Sequence, residues 1–435
     1  MSLYNRIGLL TIAITLGCNW SVLISKVNAQ GLGNSPYSSL GMGELYTDAF
    51  ASSSGMGQAN VSSSSGFEIN NLNPALWVRN KFTTLDFGII GQYKGIKSGS
   101  DSQRNAGGNL GYVALAFPVA PRWTLGISIK PHSFVDYQNT DLRNVGGTPL
   151  TAYYITSGKG GINKASFTNA VQIGKYLSVG LEASYFFGNV RTASEAVINF
   201  NDGANADYLV SVSDRTVYND IAFRGGAALK IPIKKNNKLN LNLGGTYSIG
   251  TKLNAQRTTT FELLQSSFPV ITPDTLVKNK KGTTTLPSQY QAGFSLEWPY
   301  KLTLAADYSH ESWSGYRNFD RLKGNDGLKD VNRLHVGAEY TPKFGSLSYL
   351  DNVRYRIGFS AGNSPYVINE KNMKDNNVSL GFTLPMGRGY QNFISLSFIG
   401  GQRGVVGTGM LRERYGRVVL GLTLRERWFE KQKID

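Results

Sequence analysis

The sequence predicts an all-β chain closed into a transmembrane antiparallel β-barrel of about 14 strands. Three observations predict it. Glycine supplies 50 of 435 residues and Tyr plus Phe another 44, while only 17% are charged; glycine usually stands near ~7%, so this composition suits many tight turns and no helical core. Segments of about ten residues alternate apolar and polar side chains, longer than the five or six residues of an ordinary strand and long enough to cross a bilayer when tilted. Beyond the N-terminus no window of 18 consecutive apolar residues occurs, so helices do not span a membrane here.

Taken in order, Met1 to Arg6 is short and positive, Ile7 to Ile24 is mostly apolar, and Val27-Asn28-Ala29 precedes Gln30. That pattern predicts a cleaved signal peptide over residues 1–29. The rival is a lipoprotein signal ending at Leu16-Gly17-Cys18; Thr15 and the apolar run past Cys18 oppose it. Cys18 is the only cysteine, so a chain starting at Gln30 has no disulfide, thiolate nucleophile or cysteine metal site. Residues 30–80 follow, rich in Ser and Gly, and residues 81–435 form the body. No linker or charge block divides that body, which favours one closed architecture.

Period-two alternation marks the body throughout. Leu85, Phe87, Ile89 and Tyr93 share one face, with Thr84, Asp86 and Gln92 opposite. The same pattern runs through Trp123 to Lys130, Leu177 to Phe187 and Leu239 to Ile249. In a membrane barrel the apolar face meets lipid and the polar one lines the lumen. Segments near 82–93, 108–119, 122–135, 163–174, 176–188, 213–231, 238–255, 285–298, 301–312, 331–341, 352–362, 376–385, 391–401 and 413–428 make up the count. Short turns at Val119 to Arg122, Gly174-Lys175 and Pro299-Tyr300 are expected at the periplasmic end. Longer connections, Ala255 to Leu286 among them, are expected outside the cell. A soluble β-sandwich would need a second sheet for every apolar face, and segment length and number argue against it.

The net charge of +16 is spread, mostly beside turns such as Lys234-Lys235 and Lys280-Lys281. Without a localised basic patch no nucleic-acid partner is expected; anionic lipid head groups are the simpler counterpart. His132, His310 and His335 lack metal-ligand spacing, and no cofactor or metal is expected. Ser157-Gly158-Lys159-Gly160-Gly161 lacks the Ser/Thr and the helix of a phosphate loop. Glu182, Asp220, Glu297, Asp307 and Glu339 fall on polar faces opposite Lys130, Arg224 and Lys230, as lumen charges rather than an acid/base couple. The chain is therefore not read as an enzyme.

An ordered set of stretches resembles the FadL-type outer-membrane transport family, in the form common among Bacteroidetes-like bacteria. They are Gly55-Met56-Gly57-Gln58-Ala59, Asn73-Pro74-Ala75, Ile129-Lys130-Pro131-His132-Ser133, Ser157 to Asn163, Gly337 to Tyr340, Arg354 to Gly358 and Arg427-Trp428-Phe429. The resemblance implies a bacterial outer-membrane barrel whose lumen holds an N-terminal hatch, residues 30–80, with Asn73, Pro74, Ala75, Leu76 and Trp77 as its gating part. It implies a kink at Pro131, His132 and Ser133 that opens the wall sideways, and a glycine-rich loop with Gly158, Gly160 and Gly161 before the fourth strand. The terminal strand closing on Trp428 and Phe429 resembles the signal read by barrel-assembly machinery during insertion, although Glu430 to Asp435 follow it.

Two functions follow as expectations. One is passive uptake of a hydrophobic, fatty-acid-like small molecule through a hatch-gated lumen and a lateral opening. The other is a non-transporting barrel of the same fold, an accessory subunit of a secretion or barrel-assembly complex with other outer-membrane proteins as partners. Residues Asn254 to Thr284 would be a ligand funnel in the first and a docking loop in the second.

Overall fold

The computed structural model describes residues 32, 34–99, 101–144, 151–199, 208–233, 238–265, 274–319, 328–368, 371–387, 391–404 and 411–426. The expected signal peptide and the Trp428-Phe429 terminus lie outside them. Fourteen antiparallel staves form one closed sheet. They are β1 (Thr83–Ser98), β2 (Asp101–Ala120), β3 (Trp123–Asn144), β4 (Thr151–Ile173), β5 (Leu177–Asn199), β6 (Tyr208–Pro232), β7 (Asn240–Ser248 with Thr251–Gln265) and β8 (Asp274–Leu286 with Gln289–Trp298). The rest are β9 (Leu302–Glu311), β10 (Val331–Tyr340), β11 (Arg354–Ile368), β12 (Lys371–Met386), β13 (Asn392–Gly404) and β14 (Leu411–Glu426). Staves β14 and β1 zip together from Leu411↔Ser98 to Glu426↔Thr83, which leaves no free edge at the closure.

The alternation read from sequence is the inside–outside code of this wall. Leu85, Phe87, Ile89 and Tyr93 are 40–51% exposed on the outer face, while Thr84, Asp86 and Gln92 are buried inside. The barrel lies in the bacterial outer membrane, with the outer side chains against lipid. The strand starts and ends at 83, 120–123, 173–177, 298–302 and 426 share one end, joined by short turns. That end is periplasmic by the usual rule for such barrels.

Two elements differ from the sequence reading. Gly158, Gly160 and Gly161 lie inside β4, not in a loop: each pairs with β3 on one side and β5 on the other. A Cβ on Gly161 would stand 2.4 Å from the Ser133 carbonyl oxygen and one on Gly160 2.2 Å from that of Asn189, so these glycines permit close backbone approach within the wall. The connection Ala255 to Leu286 is likewise no loop. Its described residues form a β-hairpin in which Leu286 faces Thr251 and Asp274 faces Phe261. Small and charged residues hid both segments, because an extracellular stave that rises beyond the lipid no longer needs an apolar outer face.

Candidate functional site

The wall parts at one seam. The β2–β3 ladder runs from Ala120↔Trp123 to Val113↔Ile129, while both strands continue beyond it. Pro131 follows this point, with a register shift against β4 between Pro131 and Ser133. Proline has no N–H to donate, so a ladder is readily broken there. The strand nevertheless continues to Asn144. Beyond the parting, the edge of β3 is taken by the N-terminal segment. Glu44–Leu45 is a two-residue strand paired with Phe134 and Ser133. Tyr46 N–H donates to the His132 carbonyl at 2.9 Å, and Ser35 N–H to that of Asp136 at 2.9 Å. On the β2 side Asn105 Nδ2 donates to Asn34 O (3.0 Å) and Asn109 Nδ2 to Tyr46 Oη (3.3 Å). The His132 ring meets Phe186 edge-on at 4.9 Å. The seam is thus bridged by the chain's own N-terminal segment.

The same segment fills the lumen, held by three acidic side chains. Asp48 lies 2.7 Å from Lys130 Nζ (β3), 3.3 Å from Lys164 Nζ (β4) and 2.9 Å from Arg224 Nη1 (β6), and Glu182 of β5 braces Lys164 at 3.0 Å. Glu68 accepts from Arg354 (2.8 Å) and Arg356 (2.7 Å) of β11 through one oxygen, and from Thr383 and Ser395 through the other. Glu44 pairs with Lys94 of β1 and, at 3.4 Å, with Arg403 of β13. Burial works to raise the pKa of Glu68, but the two guanidiniums and two hydroxyls outweigh it and hold the carboxyl at about 2. For Asp48 three cations overcome burial in the same way and hold it well below the usual range.

A group whose folded pKa is depressed stabilises the fold above its ordinary value and loses that contribution as pH falls. The segment is therefore expected to resist protease at neutral pH and to loosen only as pH drops from about 4.5 towards about 2. Limited proteolysis of the purified barrel across that range checks this; release already between pH 7 and 5 would contradict it.

Backbone contacts complete the seat. Asn73 caps the short 3₁₀ helix Pro74–Arg79, accepting from Ala75 N–H at 2.9 Å. Its amide donates to Val61 O (2.8 Å) within the segment and to Ala227 O (3.0 Å) in β6. Asn73, Ala75, Leu76 and Trp77 are fully buried. They press on wall glycines: a Cβ at Gly126 would fall 2.1 Å from the Trp77 ring, at Gly180 2.4 Å from the Pro74 carbonyl carbon, and at Gly226 2.2 Å from Asn73 Oδ1. Across the barrel Gly337 and Gly358 receive Met56 and Gly57 as closely. His335 Nδ1 lies 2.9 Å from Gly57 O, Ser379 Oγ accepts from Gly57 N–H at 2.8 Å, and Val61 N–H donates to Asp307 at 2.8 Å.

Among the described residues the lumen keeps a cavity of about 230 Å³ on the extracellular side, with Asp48, Glu182, Arg224 and Arg403 in its lining, and one of about 310 Å³ at the periplasmic mouth. None of Asn73 to Trp77 lines either. Among the described residues no cluster of three His, Cys, Asp or Glu is placed to hold a metal.

Sequence reasoning placed the lumen-facing Glu182, Glu297, Glu339, Lys130, Arg224 and Lys230, but missed Glu44, Asp48 and Glu68. A signal was available: these are the only three acids between residues 31 and 80. Isolated carboxylates in a small-residue segment whose only cation is Arg79 need partners from elsewhere once they are taken out of water.

The family model of BamG matches residues 12–435. This chain belongs to the BamG family. The fold of this BamG-family member is that of FadL-type outer-membrane barrels. Similar solved structures include the CymD monoaromatic hydrocarbon channel, with 14% identity over 88% of this chain and 98% of that one and a TM-score of 0.54. A Pseudomonas aeruginosa FadL homologue has 12% identity over 87% and 98% of the two chains and a TM-score of 0.53. The P. putida toluene transporter TodX has 13% identity over 89% and 100%, also with a TM-score of 0.53. No curated protein matches the BamG-family sequence.

Proposed function

We propose that this protein is a plugged barrel serving as an accessory subunit of an outer-membrane barrel-assembly complex. The observation that carries this reading is the cemented lumen: three carboxylates of the N-terminal segment, Glu44 and Glu68 buried and Asp48 half-buried, pair with cations from six staves of the wall. Removing one partner of such a pair leaves a buried charge uncompensated, so moving this segment as a gate would break several pairs at once. BamG-family membership supports an association with barrel assembly.

Passive uptake of hydrophobic molecules is the second reading, and the parted seam favours it. A groove of about 460 Å³, with Val113, Leu115, Ile127, Ile129 and Phe167 in its lining, faces outwards where the β2–β3 ladder ends. Movement of Glu44 to Tyr46 off β3 would connect that groove to the lumen.

Purification of the tagged protein from its own outer membrane in mild detergent, with protein and extracted lipid both identified, separates the readings. The expected result is a stoichiometric large outer-membrane partner and no bound apolar molecule. A lone barrel carrying fatty acid or another apolar molecule would overturn the subunit reading and support uptake.

A further inference from the structure

The cavity at the periplasmic mouth has a composition that neither closing the lumen nor facing lipid requires. Its lining carries seven cationic side chains and three acidic ones. Arg354, Arg356 and Lys230 are already paired, with Glu68, Glu339 and, at 3.1 Å, Glu297. Arg79, at the end of the short helix after Trp77, has a buried Nη1 with no hydrogen-bond partner. Lys175 and Lys301 are exposed at the rim, on the turns after β4 and β8. The mouth is therefore an electropositive funnel in which a buried nitrogen of Arg79 is left without a partner.

Aromatic rings form the other half of the site. Tyr300 stacks on Phe344 with ring centroids 4.9 Å apart, and Phe67 of the lumen segment meets Phe344 at 5.6 Å and Tyr300 at 6.2 Å. Contact with Phe67 places these rings over the mouth. Tyr300 is 62% exposed and has φ of +61°, a left-handed backbone that glycine or asparagine adopts more easily. A tight turn alone would favour glycine there, so the strained tyrosine is held for its ring. Phe344 sits on a rigid loop: Asn352 accepts from Gly345 N–H (2.7 Å) and donates to Ser346 O (2.7 Å) and Ser348 O (2.8 Å), while Ser346 Oγ donates to Asp351 (2.7 Å).

We infer that the periplasmic mouth is a binding site for an acidic peptide segment bearing an aromatic side chain. Carboxylates enter among Arg79, Lys175 and Lys301, and the ring packs against Tyr300, Phe344 and Phe67. Unpaired cations give steering and salt dependence, and the aromatic platform selects the side chain. The site rests on the accessory-subunit reading only in that its natural ligand would be a periplasmic stretch of a partner protein.

The test uses the purified full-length barrel in detergent and fluorescence anisotropy with three labelled peptides: one acidic with a single Phe, its Phe→Ala version, and a basic counterpart. The expected result is binding of the first, weakened by salt and by loss of the Phe, and no binding of the basic peptide. Tyr300→Gly suits the turn, so the barrel keeps its fold while the affinity falls about tenfold; Lys301→Glu lowers it comparably. No binding of the acidic peptide, or affinity unchanged in both variants, would overturn the inference. Displacement of the peptide by vesicles containing anionic phospholipid, with the same dependence on Tyr300 and Lys301, would overturn it in favour of a lipid head-group site. Because the assay needs no partner, a barrel that binds peptide but co-purifies alone fails the accessory-subunit reading and not this one.

Discussion

Replacing Glu68 with alanine is expected to destabilise the folded barrel by about 3–5 kcal/mol, the range for breaking a buried ion pair from one side. Its carboxylate is met by Arg354 and Arg356, and all three side chains are 5% exposed or less. Removal would leave two adjacent buried guanidiniums facing each other without their shared counter-charge, although Glu339 still holds Arg356 at 2.7 Å. Thr383 and Ser395 would also lose their shared acceptor. Glu68→Gln keeps the shape and an acceptor oxygen but not the charge, so its loss is expected to be intermediate. Denaturant unfolding of the detergent-solubilised protein, read by the shift of the folded band on unheated gels, measures all three forms. Equal stability of wild type and Glu68→Ala would mean that the segment is not held by this pair, and would remove the main support for a fixed plug.

Gly226→Ala and Gly225→Ala form the second test, because two neighbours on β6 face opposite sides of the wall. A methyl group on Gly226 would stand 2.2 Å from Asn73 Oδ1 and within 2.9 Å of the Pro74 ring, whereas one on Gly225 meets nothing within 4 Å. Overpacking of a filled site costs about 1–3 kcal/mol, while an exposed substitution away from such features usually stays within about 0.5 kcal/mol. The expected outcome is a weakened seat for Asn73 to Trp77 in Gly226→Ala and none in Gly225→Ala. An Ala75→Cys probe reports it, being shielded from a periplasmic thiol reagent in the wild type and in Gly225→Ala but labelled in Gly226→Ala. Equal shielding in all three would show that the segment shifts without leaving, and that these glycines are not its seat.

The barrel was legible in the sequence because strand geometry is local. Leu85, Phe87 and Ile89 point one way and Thr84 and Asp86 the other whatever the rest of the chain does, and a lipid surface outside forces that pattern to recur. The extracellular halves of β4, β7 and β8 were harder to read, since above the membrane the outer face is released from that demand. Gly158 to Gly161 then resembled a loop, although β3 and β5 hold them in a ladder on both sides.

The sequence by itself determined the class of the fold, the number of staves, which wall residues look inwards, and that a small-sided segment with few charges precedes them. Tertiary structure alone decided that Asp48 gathers Lys130, Lys164 and Arg224 from three staves. It also decided that Glu68 reaches residues almost three hundred positions away, and that Glu44 and Leu45 cover the edge of β3 where the wall parts. Periodicity reports the direction of a side chain relative to its own backbone. Which charges meet across a lumen depends on how a closed sheet curls, and on the short distances at which buried opposite charges must be matched.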